Sequence, residues 1–181
     1  PNRGPENSRL VLSWSGFPGL DLRVQATVSA TPNDPLTRWT LRVENRSGKR
    51  VAWIRFPLIM AVPALGDPQD DVLVLPALPG TLIRNPAAGW SVGYSVSLSY
   101  PGNLSAQFLS FQDRSAGVYL ASMDCHGHPL GFGVGKRREG MLLYHQWEPL
   151  ASDQQVWESP YPVVLGVVQG TWHRAADQYK L

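Results

Sequence analysis

This sequence of 181 residues is poor in cysteine and has no long apolar run. Cys125 is the only cysteine, so no disulfide can form within the chain and the fold must rest on packing. No apolar stretch approaches the ~18 residues of a membrane span, and the first residues lack the basic and apolar regions of a signal peptide. We therefore expect no membrane partner.

Charge is also scarce, since 17% of the residues are charged and the formal net charge is +2. Phosphate contacts need clustered lysine and arginine, and the one basic cluster, residues 136–138, is typical of a solvated turn. We therefore expect no nucleic-acid partner. The sequence also lacks phosphate-binding glycine motifs, a G-x-S-x-G elbow and a nucleotide fingerprint, so we expect no cofactor.

Alternation of apolar and polar residues is the dominant pattern. In residues 21–30 every even position is apolar, which is typical of a strand with one buried face. Residues 38–44 repeat the pattern, and a turn at 45–48 followed by residues 51–56 predicts a hairpin. Further strands are predicted at residues 9–14, 72–75, 95–100, 106–111, 117–122, 130–134, 141–147 and 163–169.

The 16 prolines and 17 glycines separate these strands and disfavour helices. Before Thr171 the sequence predicts no helix, and residues 61–71 and 78–93 are expected to be long irregular loops. The predicted fold class is therefore all-β: two antiparallel sheets packed face to face in a sandwich.

The last twelve residues change to helical spacing. Trp172, Ala175, Ala176 and Tyr179 fall at i, i+3, i+4 and i+7, which places them on one face of a helix with Thr171 as its N-cap. An isolated helix this short is marginal in water, so its apolar face needs a neighbour. We expect a fragment: a sandwich over residues 1–170, and over residues 171–181 the start of a connector helix toward a catalytic domain that the chain lacks.

Seven tryptophans and six tyrosines are many for this length, and an exposed aromatic ring can hold the apolar face of a sugar. Trp39 and Trp53 occupy inward positions of predicted strands and are expected in the core. Trp90, in the irregular loop, and Trp147, beside Glu148, are candidates either for sugar contact or for ordinary packing.

Residues 124–128 form a second candidate cluster. His126 and His128, with Asp124 or Cys125, could bind a metal ion if they shared one face of a strand. Gly127 favours a polar turn instead, and no third ligand follows at a diagnostic spacing. We therefore expect no metal site.

Acid–base chemistry is the remaining possibility. His126, His128 or His145 together with Glu148 could serve a sugar epimerase. Glycoside hydrolysis needs two carboxylates at a defined separation, and no spacing in this sequence pairs any two. No catalytic residue is assigned.

Four segments together carry a resemblance: residues 100–108, 111–113, 117–124, and 170–179 with its Trp-x-x-Ala-Ala-x-x-Tyr pattern. They resemble the N-terminal β-sandwich, a galactose-mutarotase-like supersandwich, of large bacterial glycoside-hydrolase-like proteins. In that family a connector helix leads from the sandwich to a (β/α)8 catalytic barrel. The resemblance covers the second half of the chain, and the first half by strand pattern only. It favours a secreted or periplasmic location.

The resemblance implies that the catalytic carboxylates lie in the barrel, so this chain alone is not expected to be an enzyme. Its implied partners are that barrel and carbohydrate, which it would support and help to bind. The alternatives are a stand-alone aldose epimerase-like enzyme and a protein-interaction module. The residues expected to contact carbohydrate are Arg84, Trp90, Tyr100, Asp124, His126, His128, Trp147 and Glu148.

Overall fold

The computed structural model describes residues 8–149 and 155–179, which form two antiparallel sheets packed face to face. The predicted all-β sandwich is confirmed. The elements of the described residues are β1 Ser8–Trp14, β2 Leu22–Ala30, β3 Leu36–Asn45, β4 Ile54–Val62, β5 Val72–Leu75, β6 Thr81–Arg84, α1 Pro86–Gly89, β7 Ser95–Tyr100, β8 Phe108–Gln112, β9 Ala116–Ser122, β10 Leu130–Arg137, β11 Gly140–Trp147, β12 Val156–Glu158, β13 Val163–Gln169 and α2 Trp172–Tyr179.

The two sheets differ in size. Within the described ranges, the large sheet has the strand order β1-β2-β3-β13-β9-β8-β5-β6, and β12 also pairs with β3. The small sheet has the order β4-β11-β10-β7. Consecutive strands pair in several places, but the pairs β3–β13 and β13–β9 in the large sheet and β4–β11 in the small one join distant parts of the sequence.

The main core lies between the sheets. Its fully buried side chains include Phe111 and Leu120 from the large sheet and Phe132 and Leu143 from the small one. Burying one such side chain contributes roughly 1.5–3 kcal/mol. Cys125 is exposed and free, so this apolar packing takes the place of covalent cross-links.

The predicted hairpin between residues 38–44 and 51–56 is wrong. The turn itself forms, since the Asn45 side chain donates to the Lys49 carbonyl at 2.7 Å. The chain then crosses to the other sheet, where β4 pairs with β11, while β3 pairs with β2, β13 and β12. A local turn signal does not specify the strand's partner, which here is set by burial between the sheets.

Residues 78–93 are more regular than expected. They contain β6 and the single-turn helix α1, which corrects the prediction that no helix precedes Thr171. Asn85 adopts the left-handed conformation at φ 47°, and its side chain accepts a hydrogen bond from the Ala88 N–H at 3.2 Å. Pro86 supplies the first helical position. One helical turn is too short to produce a periodic pattern.

Helix α2 forms as predicted and packs on β8 and β13. Ala175 is fully buried, the Tyr179 ring lies 5.4 Å from that of Phe108, and Trp172 and Ala176 contact the same outer apolar cluster. The sandwich itself therefore covers most of this face, while Tyr179 stays 39% exposed, and the expected catalytic domain beyond the helix remains a prediction. Residues 180 and 181 of the predicted helix lie outside the described residues. No helix in the described part of the chain is long and apolar enough to cross a membrane.

We expect Gly166→Ala to lower the free energy of unfolding by roughly 1–3 kcal/mol, because an added Cβ would lie 2.1 Å from the Pro35 carbonyl oxygen. Gly89→Ala is the matched control, since its Cβ meets nothing within 4 Å and alanine favours the helix. Urea unfolding followed by tryptophan fluorescence measures both. Equal stability of the two variants would contradict the close approach of β13 to the start of β3.

Candidate functional site

The register of the small sheet gathers most of the predicted carbohydrate residues at one end. Leu130 pairs with Tyr100 on one side and with Trp147 on the other. The end of β7, the start of β10 and the end of β11 therefore coincide. His128 precedes Leu130 by two residues and Glu148 follows Trp147, so both also lie at this end.

Arg84 and Trp90 lie elsewhere. Arg84 ends β6 at the edge of the large sheet, and Trp90 packs its ring 4.9 Å from that of Tyr94. The Tyr94 carbonyl accepts from the N–H of Lys136, which is six residues along β10 from Leu130. At ~3.3 Å per residue this places Trp90 about 20 Å from the first group. The eight predicted residues therefore do not form one site.

The turn of residues 124–128 is built around one carboxylate. Asp124 accepts hydrogen bonds from the backbone N–H groups of His126 at 3.1 Å and His128 at 2.6 Å, and contacts His128 Nδ1 at 2.7 Å. Gly127, at φ 75°, allows the chain to reverse. This is the polar turn that Gly127 predicted. The Asp124 side chain has no exposed surface, so its role in the turn leaves no free carboxylate for a ligand.

Burial alone would raise the pKa of Asp124, but the hydrogen bonds from His128 and from the His126 backbone outweigh it, so the pKa lies below its usual value. The imidazole rings of His126 and His128 lie edge to face, with their centroids 6.0 Å apart. Among residues 8–149 and 155–179, no group of three histidine, cysteine or carboxylate side chains is placed to hold a metal ion.

Tyr161 is a residue that sequence patterns did not reveal. Its ring lies 5.8 Å from His128 and His145 and 6.3 Å from Trp147, so it connects the turn to the core. Burial raises the pKa of Tyr161, and the negative charges of Asp124 and Glu148 add to that effect. Tyr161 lies between prolines in the segment linking β12 and β13, where no periodicity marks it.

The structure decides the open choice for Trp147 in favour of packing, and the expectation that Trp53 lies in the core is wrong. Trp147 is 1% exposed and packs against His145 and Trp157, so its ring is part of the core and is not presented to a cleft. Trp53 is 53% exposed, because β4 begins only at Ile54 and Trp53 lies before the paired strand. Trp39, by contrast, packs against the core as predicted.

Two grooves meet at α2 on the outer face of the large sheet, and Gln178 lines both. The smaller, of about 430 Å³, includes the Asp34–Arg38 ion pair at 2.7 Å, and the Arg38 hydrogen bond lowers the pKa of Asp34. The larger, of about 950 Å³, follows β13. Its lining is Pro35, Thr37, Leu165, Gly166, Val167, Val168, Gln169, Arg174, Asp177 and Gln178.

His145 is enclosed in the core. Its ring lies 5.2 Å from Phe132, 4.5 Å from Trp147 and 5.8 Å from Tyr161. Burial lowers the pKa of His145 to about 3, so the imidazole is neutral at pH 7. A buried neutral imidazole has no access to substrate, which removes His145 from the candidate acid–base residues.

Comparison of the sequence with protein-family models and with curated proteins found no match. Comparison of the fold with solved structures found several. The α-N-acetylgalactosaminidase NagBb from Bifidobacterium bifidum matches over 97% of this chain and 30% of its own, with TM-score 0.66 and 12% identity. The α-galactosidase from Lactobacillus brevis matches over 96% and 24%, with TM-score 0.57 and 11% identity. The GH36 α-galactosidase AgaA from Geobacillus stearothermophilus matches over 93% and 28%, with TM-score 0.53 and 11% identity.

These likenesses concern the fold. They confirm, at the level of architecture, the resemblance to the sandwich of glycoside-hydrolase-like proteins. The chain spans less than a third of the length of each of these solved proteins.

We expect the stability of the fold to fall in mild acid because of His145. With a pKa of about 3 folded and ~6.5 unfolded, the unfolded chain binds the extra proton between these values. The free energy of unfolding should therefore drop by ~1.4 kcal/mol per pH unit as the pH falls through that window. His145→Leu removes this titration, while all other groups remain. Urea unfolding of both proteins between about pH 7 and pH 4 checks it, and parallel profiles would rule it out.

Asp124→Ala should destabilise the chain by roughly 1–3 kcal/mol, because it leaves the backbone N–H groups of His126 and His128 without their acceptor. His126→Ala is the control: its exposed side chain contributes no hydrogen bond to the turn, so a change within about 0.5 kcal/mol is expected. Urea unfolding at pH 7 compares them. A loss as large in His126→Ala would show that the carboxylate is not what holds the turn.

Proposed function

We propose that this chain is the non-catalytic β-sandwich domain of a glycoside-hydrolase-like protein, where it supports a catalytic barrel and contributes to carbohydrate binding. The main observation behind the proposal is that the fold matches cover very different shares of the two chains. Nearly all of this chain aligns, yet at least 70% of each solved glycosidase lies beyond it. In that arrangement the hydrolytic carboxylates belong to the part outside the sandwich.

The state of the acid–base candidates supports a non-catalytic role. Glycoside hydrolysis needs two carboxyl groups facing each other across the scissile bond. The Asp124 carboxylate accepts the hydrogen bonds that hold its own turn, and His145 is buried and neutral. Glu148 is half-buried and accepts from the Gln146 side chain at 3.2 Å. His145 therefore lacks the access that an epimerase-like mechanism with Glu148 would require. His126 and His128 lie at the surface, so the anomer-interconversion test below addresses them.

The position of α2 favours the large sheet as the face that meets the barrel. The helix lies on the outer face of that sheet, and Tyr179, its last residue, lines the 430 Å³ groove. A chain continuing from α2 leaves the sandwich beside both grooves. We infer that these grooves receive side chains of the following domain.

We expect the 181-residue chain to hydrolyse neither nitrophenyl α-galactoside nor nitrophenyl α-N-acetylgalactosaminide, and not to accelerate interconversion of galactose anomers. Spectrophotometry measures the first two reactions and polarimetry the third. Acceleration of anomer interconversion that disappears in Glu148→Ala would overturn the proposal in favour of an epimerase.

The coding sequence that follows Leu181 in the parent protein tests the barrel partner separately. The proposal requires alternating strands and helices with carboxylates at strand ends. Deleting residues 1–170 from that parent should then reduce soluble expression and hydrolytic activity. A parent that keeps full activity without the sandwich would contradict the supporting role.

A further inference from the structure

The outer face of the small sheet is organised in two transverse rows. In the first, Tyr144 of β11 lies between Leu58 of β4 and Gly133 of β10, and Gly133 pairs with Ser97 of β7. In the second, by the same pairings, the row runs Arg55, Gln146, Gly131 and Ser99. Because β10 contributes only glycines to both rows, a groove of about 240 Å³ forms between β11 and β7.

The tyrosine in the first row is held flat over the glycine. A Cβ added at Gly133 would lie 1.9 Å from Tyr144 Cζ, so the ring occupies the space that a side chain would fill. The Tyr144 hydroxyl is 2.5 Å from Ser97 Oγ on β7. Tyr144 is only 3% exposed and therefore forms the base of the surface, not its contact layer.

Above Tyr144, the side chain of Arg55 contacts the exposed ring of Trp53. The Arg55 guanidinium lies 4.6 Å from the centre of the Tyr144 ring and 4.4 Å from that of Trp53. Such cation–π contacts contribute ~0.5–1 kcal/mol each at exposed sites. They hold the Trp53 ring in place although 53% of that residue is exposed.

A chain of hydrogen bonds continues along the second row. Arg55 Nε donates to Gln146 Oε1 at 3.0 Å, and Gln146 Nε2 donates to Glu148 Oε1 at 3.2 Å. Among residues 8–149 and 155–179, neither Arg55 nor Glu148 forms an ion pair. The terminal N–H groups of Arg55 can therefore donate hydrogen bonds to a ligand, and the second oxygen of Glu148 can accept one.

We propose that this surface, here called the small-sheet platform, binds a neutral saccharide. Its residues are Trp53, Arg55, Ser97, Tyr144, Gln146 and Glu148. The apolar face of a pyranose ring lies on Trp53, and ring hydroxyls exchange hydrogen bonds with Arg55 and Glu148. The proposal deepens the proposed function by giving its carbohydrate contact a location, and it takes its ligand class from that function.

The charge balance of the platform selects against other ligands. Arg55 supplies donors and Glu148 supplies an acceptor, the two kinds of partner that the hydroxyl groups of a neutral sugar need. A phosphate or an acidic glycan would meet the carboxylate of Glu148 as well as the guanidinium of Arg55, and like charges repel. The groove is smaller than the ~300–1,000 Å³ of enclosed ligand pockets, so we expect weak, millimolar binding.

Heteronuclear NMR of the isotope-labelled 181-residue chain tests the platform. Titration with galactose, N-acetylgalactosamine or raffinose should shift the Trp53 indole N–H and the Gln146 side-chain amide, and inorganic phosphate should not. Trp53→Ala and Gln146→Ala should each weaken binding at least tenfold, about 1.4 kcal/mol. Met60→Ala is the matched control: Met60 is 60% exposed on β4 but outside the platform, so its variant should bind as the native chain does.

Other outcomes overturn the assignment in different ways. Shifts at Trp90 or at residues 124–128 in place of Trp53 would move the sugar site and leave the proposed function intact. No response to any sugar would remove the platform and leave only the supporting role. Shifts with phosphate that persist in Trp53→Ala would indicate an anion site, and shifts that depend on protein concentration alone would indicate a second copy of the chain. Because Trp53 lies on the surface, the folded spectrum of Trp53→Ala separates lost binding from unfolding.

Discussion

The aromatic layer between the two sheets is the contact on which the rest of the structure depends. Trp147, His145 and Phe132 come from adjacent strands of the small sheet, and Tyr161 closes the layer from the segment that enters β13. With its single thiol on the surface, the chain has no covalent cross-link to do the same work. The layer also contacts the polar turn at Asp124, because the Tyr161 ring lies 5.8 Å from that of His128. The buried imidazole of His145 in this layer must stay neutral, because a charge there would destabilise the fold.

The periodicity of apolar residues predicted most of the strand positions. Residues 21–30 alternate strictly and form β2, and the short apolar runs at 72–75 and 163–169 form β5 and β13 with the predicted bounds. Pairing was harder to predict, because alternation states which residues share a face but not which strand lies alongside. The Asn45 turn shows this: its local chemistry is that of a hairpin, yet the next strand joins the opposite sheet. Short elements such as α1 and β12 contain too few residues to show any period.

The candidate site was predictable only in part for the same reason. Tyr100 and Trp147 meet through register with Leu130, a relation between three strands that no single segment records. Trp53 was expected in the core and is exposed, because its burial depends on where strand pairing begins and not on residue type. One signal for the small-sheet platform was present in the sequence. Glycine at every second position of β10, from 131 to 135, marks a strip of strand face without side chains.

Helix α2 packs its apolar residues on the sandwich and leaves His173, Arg174 and Asp177 exposed, the last two beside the groove along β13. A domain docked at these grooves would contact charged side chains as well as the apolar residues of β13. Interfaces between domains that contain exposed charges are weakened by salt and permit small relative movements of the domains.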